Sequence, residues 1–209
     1  MIRTEQIEVW GWEHAIRGMR NPLNSWDKSD SIFWLDDYGV ELGSNDFDLC
    51  TRLVKAGEPH RKFCRQIMIS LDITAPLYWW KEFDTYKVAT TSNSCSTMHK
   101  ISAKPFKMND FSFEHLNCDS LHLMQGLLKV LNVYMEDYLK TKDKELWWQM
   151  IQLLPSAYNQ KRTITMNYET ALNILQYRQG HKLDEWNIFC ETLLKLPYMK
   201  DFWKVVEGK

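Results

Sequence analysis

The chain has 209 residues, 44% hydrophobic and 25% charged, with a formal net charge of -1. That composition fits an ordinary globular chain with room for one sizeable core and gives no global electrostatic case for nucleic acid or an anionic membrane surface. No apolar run approaches the roughly 20 residues that span a bilayer, and five scattered Cys without CxxC pairs and six dispersed His argue for reduced thiols in a cytoplasmic setting, against a disulfide framework and against a metal site.

In chain order, Ile7 to Gly11 reads as a short strand, followed by a helix over Trp12 to Met19 that closes at Arg20-Asn21-Pro22. Residues 23–44 are mixed and turn-rich. Asn45 is placed to cap a helix running to about Lys55, ended by Gly57 and Pro59. Ile67, Ile69, Leu71 and Ile73 alternate with polar or smaller residues, the pattern of a half-buried strand, and Pro76 suits the first turn of a helix reaching about Tyr86. From Leu121 to Tyr138 apolar residues recur at intervals of three and four, a strong amphipathic helix. Helices are expected over Glu145 to Leu154, Asn167 to Tyr177 and Leu183 to Leu196, with Pro155, Gly180 and Pro197 as stops. The expected architecture is one α+β domain over residues 1–209, with a small antiparallel sheet and a helix-rich C-terminal half. The ten Trp read chiefly as a Trp-rich core, and otherwise as burial in an oligomer or against planar ligands.

Three segments carry chemistry. The first is Ala89 to Thr97, nine consecutive small or polar residues after an aromatic-rich approach that includes Trp79 and Trp80. It has no helical period and no strand alternation. Its hydroxyls and amide suit a ribose, a phosphate or a pyrimidine edge, with Lys87 and Lys100 on its flanks; a solvated loop is the plainer reading. Cys95 is the most eligible nucleophile there, although a small neutral filler explains it as well. The second is Pro155 to Asn167, where Lys161 and Arg162 stand among amides and hydroxyls. It reads as an anion site before a helix N-terminus, or as a polar connection between helices capped by Asn167. The third, Arg178 to Trp186, reads as a helix end, a turn and a new helix, with His181 beside carboxylates able to do acid–base work.

Together these segments resemble the flavin-dependent thymidylate synthases. The family signature places an Arg-His-Arg triplet before Ser-x-Asn-Glu-x-Ser-x-Arg. Here Thr91, Asn93 and Ser96 keep the first hydroxyl, the Asn and the later Ser, and the triplet falls on Thr85-Tyr86-Lys87 with about one extra residue between. The resemblance spans about residues 58–192. It implies a homotetramer that binds a dUMP-like pyrimidine nucleotide and a flavin, FAD or FMN, and transfers a methyl or hydroxymethyl group. Ser94, Ser96, Lys161 and Arg162 would hold the nucleotide, and Lys87, Asn93, Gln176 and Arg178 the flavin. Tyr86 and Cys95 are the catalytic candidates. Three positions depart from the pattern: Ser94 replaces the signature Glu, Met98 its last Arg, and Phe189 the Arg that polarises the pyrimidine. They imply an altered active site, or a binding or structural protein that keeps the fold without the chemistry. The chain also looks similar to proteins encoded by bacteriophages and their bacterial hosts.

Overall fold

The computed structural model describes residues 1–34 and 39–208. Strand β1 (Arg3–Trp10) leads into helix α1 (Trp12–Arg20). Two 3-10 turns, Asn21–Leu23 and Trp26–Lys28, precede a small antiparallel pair, β2 (Ile32–Phe33) and β3 (Val40–Glu41). Helix α2 (Ser44–Ala56) and a 3-10 turn over Lys62–Arg65 come next, then β4 (Met68–Pro76) and α3 (Leu77–Phe83). The chain continues through β5 (Thr91–Ser94), α4 (Thr97–Lys100), α5 (Cys118–Thr141), α6 (Lys144–Leu153), β6 (Asn159–Asn167), α7 (Tyr168–Arg178), α8 (Asp184–Leu194) and α9 (Met199–Glu207). The architecture is α+β, and the main sheet has the order β1-β4-β6-β5. No helix among the described residues is long and apolar enough to cross a membrane. Part of the turn-rich 23–44 region, residues 35–38, lies outside the described residues.

The alternation leading into and along β4 is real: Ile67, just before the strand, and Ile69, Leu71 and Ile73 within it are all buried. Several expected boundaries move. Pro76 closes β4 and caps α3, and that helix stops at Phe83 rather than Tyr86. Asn45 does not cap α2. Gly43 holds the cap position, and the cap comes from far along the chain: Asn45 N–H donates to Asp30 Oδ2 at 2.9 Å and Asp46 N–H to Asp30 Oδ1 at 3.1 Å. A Cβ at residue 43 would lie 2.2 Å from the Asp30 side chain, so this approach needs glycine. Asn167 does cap its helix, accepting from Thr170 N–H at 2.9 Å. Two strands run where none was expected. The polar run contains β5, and the presumed connection between helices contains β6. Helix α9 was not anticipated either.

The residues form two compact units, one of Met1–Arg3, Ile73–Thr85 and Asn93–Arg162, the other of Thr4–Asp72, Tyr86–Ser92 and Thr163–Lys209. In the first, α5 and α6 enclose a core of Ile101, Phe106, Phe111, Met124, Leu128, Leu131, Met135 and Met150. Asn132 clamps the loop below it, accepting from Phe106 N–H at 2.8 Å and donating to Phe106 O at 3.1 Å. Trp79 and Trp80 are also buried in this unit, Trp79 stacking on Phe83 at 5.1 Å.

The second unit buries Trp12 against Tyr168 at 5.3 Å, with Phe63, Trp186, Phe189 and Phe202 also inside. It holds two buried ion pairs. Arg61 grips Glu169 through three N–H···O contacts of 2.7 to 3.0 Å. Arg20 Nε donates to Asp46 Oδ1 at 2.6 Å, while Asp46 Oδ2 accepts from Ser29, Ser31 and the backbone N–H of Asp30 and Ser31. Burial alone would raise the Asp46 pKa, but the hydrogen bonds from Ser31, Ser29, Arg20 and Asp30 outweigh it and hold the carboxyl below its ordinary value. A lowered folded pKa means that the stabilisation is present above the unfolded pKa and disappears as pH falls through the folded one. Acid titration of the wild type should therefore lose stability below about pH 4. Asp46→Asn should flatten that limb in urea unfolding series, and an unchanged acid limb would count against this account.

Candidate functional site

The sequence-derived site residues fall into two groups, one in each unit. In the first unit the polar run and the cationic pair meet. Cys95 N–H donates to Lys161 O at 2.9 Å, and Gln160 Nε2 donates to Cys95 O at 2.9 Å and to Thr97 Oγ1 at 3.3 Å. Trp80 Nε1–H donates to Gln160 O at 2.9 Å, fixing β6 to α3. Ser94 and Ser96 stand exposed on the run and Lys161 is half-buried beside it, so small hydroxyls and a cation share this edge of the unit.

Arg162 is already committed. Its Nη1 donates to Asp84 Oδ1 at 2.7 Å, its Nε to Gln160 Oε1 at 3.0 Å, and its Cζ sits 4.2 Å from the Trp80 ring centroid. Planarity lets one guanidinium stack on indole and donate in-plane to two acceptors. Ser96 caps α4 through His99 N–H, and Ser96 Oγ lies 2.7 Å from His99 Nδ1. Sequence reading missed Gln160, Asp84 and His99 as members of this network. Only His99, three residues after an N-cap Ser, carried a local signal. Cys95, a catalytic candidate, is an exposed thiol.

In the second unit the segment from Tyr86 to Ser92 lies by α7. Thr170 Oγ1–H donates to Val88 O at 3.1 Å, and Ala89 takes a left-handed φ of 54° just before β5. Tyr86 and Arg178 are brought together: Arg178 Nε–H donates to Tyr86 Oη at 2.9 Å, and its Cζ lies 4.6 Å from the Trp186 ring centroid. Arg178 Nη1 is 3.3 Å from His181 Nε2, and His181 Nδ1 accepts from Leu183 N–H at 3.1 Å. Arg178 is thus a half-buried, oriented cation over an aromatic floor. Lys87 and Gln176 are exposed in this unit, whereas Asn93 belongs to the first. Phe189 is fully buried and packs near Trp186 with ring centroids 6.2 Å apart, so position 189 faces the core of this unit. Burial pushes the Cys190 thiol up to about 12, which leaves it protonated and unreactive at neutral pH.

No protein-family model matches the sequence, and neither does any curated protein. Solved structures do match. Thymidylate synthase X (ThyX) from Helicobacter pylori, solved with FAD and dUMP, superposes with a TM-score of 0.69 at 15% identity over 97% of each chain. This chain has the flavin-dependent thymidylate synthase fold. The UMP/dUMP methylase PolB from Streptomyces cacaoi, bound with 5-Br dUMP, superposes with a TM-score of 0.65 at 12% identity, covering 100% of this chain and 95% of its own. The thymidylate synthase fold thus accommodates this sequence over nearly its whole length.

Proposed function

We propose that the chain binds a pyrimidine nucleotide of the dUMP class at the edge formed by β5, the Cys95–Thr97 segment and the start of β6. The observation that carries this reading is the backbone bond between Cys95 and Lys161, which brings the hydroxyl-rich run and the cationic segment together at one edge. Small hydroxyls there donate to ribose or phosphate oxygens, and Lys161 supplies the point charge for phosphate. Support comes from the fold, whose solved examples include proteins in complex with dUMP and with 5-Br dUMP. Arg162 shapes the site rather than binding phosphate directly, because Asp84, Gln160 and Trp80 already hold it.

A flavin fits the donor set of the second unit. Arg178 presents a fixed guanidinium over aromatic rings, and Lys87 and Gln176 add a mobile cation and an amide for phosphate or ring oxygens; Asn93 is the further amide implied by the resemblance. These residues would hold the flavin, whose reduced form would supply hydride chemistry. The chain's own part is to hold Arg178 in one orientation through Tyr86 and to place Tyr86 Oη where a proton can be shared. Group transfer to C5 of the nucleotide is the reaction class this reading implies.

Calorimetric titration tests it. dUMP or UMP should bind the wild type, and Lys161→Ala should weaken binding by about tenfold, the loss of one charge-assisted contact of ~1.5 kcal/mol. Binding of neither nucleotide, or equal binding by Lys161→Ala, refutes the site. A protein purified without yellow colour that takes up neither FAD nor FMN refutes the flavin half. A second reading, binding without turnover, is favoured by the buried Phe189 at the position where the resemblance expects a pyrimidine-polarising Arg. Tritium release from dUMP labelled at C5, in the presence of flavin, a reductant and a folate-type one-carbon donor, distinguishes the two: release requires chemistry at C5, and its absence with intact binding selects the second.

A further inference from the structure

His99 holds Ser96 twice. His99 N–H donates to Ser96 Oγ at 3.2 Å, the bond that caps α4, and the same oxygen lies 2.7 Å from His99 Nδ1. Both residues are exposed, so what Ser96 does not give to His99 it offers to a ligand. A hydroxyl has one hydrogen to donate and two lone pairs. At 2.7 Å one hydrogen lies between Oγ and Nδ1, and its owner decides what is left over. With Nδ1 bare, the serine's own hydrogen fills that line, and Ser96 shows the outside only a lone pair. With Nδ1 protonated, Oγ has accepted twice, and its O–H is free to point outward. Ser96 is therefore a donor to a ligand only while Nδ1 carries a proton. An ionised phosphate oxygen accepts and does not donate, so it bonds the second state and is repelled by the first.

We propose that His99 is a positioning residue for the nucleotide phosphate: it sets the polarity of Ser96, and phosphate binding at Ser96 draws a proton onto Nδ1. This rests on the nucleotide reading above and narrows it, because it assigns Ser96 to the phosphate rather than to ribose or base. A neutral ring that moves its hydrogen to Nδ1 also frees the serine O–H. Uptake of a second ring proton does the same and places a positive charge beside the anion, and a nearby opposite charge favours the charged form. Charged and titratable groups on the elements around His99 are Lys100 on α4 itself, the Cys95 thiol, Lys161 on β6, and the start of α6. Helix α6 is tied to α4 by Trp147 Nε1–H, which donates to Met98 O at 3.2 Å, and it begins with Asp143, Lys144 and Glu145, all exposed. On β6, Arg162 is paired with Asp84. Among the described residues no carboxylate bonds the His99 ring, so the phosphate is the anion that reaches it through Ser96. Proton and phosphate then bind together. The bound state holds more protons than the free one, so affinity rises as pH falls through the range in which imidazole titrates, about pH 5 to 8.

Calorimetric titration of the full chain with dUMP, in buffers of different ionisation enthalpy, counts the protons taken up. Wild type should take up protons on binding near neutral pH. It should bind about tenfold more tightly at about pH 6.5 than at about pH 8.5, the scale of one charge-assisted hydrogen bond. A phosphate monoester titrates near pH 6 on its own account, at about the second pKa of a phosphorylated side chain, so His99→Gln is the reference. That variant keeps the backbone cap of α4 but has no titrating ring, and it should lose both the proton uptake and the pH dependence beyond that of dUMP itself. Ser96→Thr keeps the hydroxyl and the cap and should retain both. Deoxyuridine, which lacks the phosphate, should draw no protons. The 15N resonance of His99 Nδ1 reads the same event directly, and saturation with dUMP should move it to its protonated position. Equal proton uptake by His99→Gln, uptake of the same size with deoxyuridine, or an Nδ1 resonance unmoved by bound dUMP would each overturn the role of His99 and leave the nucleotide reading standing. Failure of dUMP and UMP to bind at any pH would remove that reading and this proposal with it.

Discussion

Asp46→Ala is expected to destabilise the protein by about 3–5 kcal/mol, the scale for breaking a buried ion pair by removing one partner. Asp46 is fully buried and Arg20 nearly so. The substitution deletes the acceptor for Arg20 Nε, for two serine hydroxyls and for two backbone N–H groups at once. Arg20 already has one buried amino group, Nη2, without a hydrogen-bond partner among the described residues. Its only other acceptor among the hydrogen bonds described is Ser25 O at 3.2 Å. A domain with a total stability of about 5–15 kcal/mol would be left close to unfolding at 37 °C. Asp46→Asn keeps an acceptor in place and should lose clearly less. Urea unfolding of the three proteins at pH 7 measures this, and a loss under 1 kcal/mol for Asp46→Ala would show that the cluster is not a stability centre.

The second large effect concerns ligand binding. Arg162→Ala should cost global stability only ~1–2 kcal/mol, since a stacked cation contributes about 0.5–2 and a half-exposed ion pair less than about 1. Its effect on nucleotide affinity should be larger, on the order of tenfold or more, where 1.4 kcal/mol corresponds to a factor of ten. Gln160 depends on Arg162 for its orientation, and Gln160 holds both Cys95 O and Thr97 Oγ1. Arg162→Lys keeps the charge near Asp84 but cannot stack flat on Trp80 while forking to two acceptors, so it should behave like the alanine variant. Titration with dUMP and hydrogen exchange at the Cys95 amide should report the loss together. Exchange that quickens while affinity holds would separate the network from the ligand site.

What could be read from the sequence follows from where each element buries its side chains. The alternation from Ile67 to Ile73 survives because one face of β4 is wholly inside. The three-and-four spacing of α5 survives for the same reason, and Asn167 was legible because a cap is a local bond over three residues. Strand β5 was not, since all four of its residues are exposed and no face is recorded in hydrophobicity. Strand β6 fails differently: Ile164 and Met166 alternate inward, but Asn159 to Thr163 carry no apolar signal. Its backbone is satisfied by β4 and β5, which no local pattern reveals. The meeting of the polar run with the cationic segment follows from the family resemblance, which assigns both to one nucleotide, and from no local pattern in either segment. The locking of Arg162 was not legible, because Asp84 is 78 positions away.

The left-handed Ala89 lies in the turn before β5, where residue count decides which side chains each face of the strand presents. Side chains alternate along a strand, so shortening the turn before Thr91 by a single residue would exchange the rows of β5, presenting Thr91 and Asn93 where Ser92 and Ser94 now stand. An insertion or deletion there changes which side chains each face of β5 presents without altering one hydroxyl, whereas Ala89→Gly should only relax the backbone by about 1 kcal/mol. Spacing, in this stretch, decides which hydroxyls share a face.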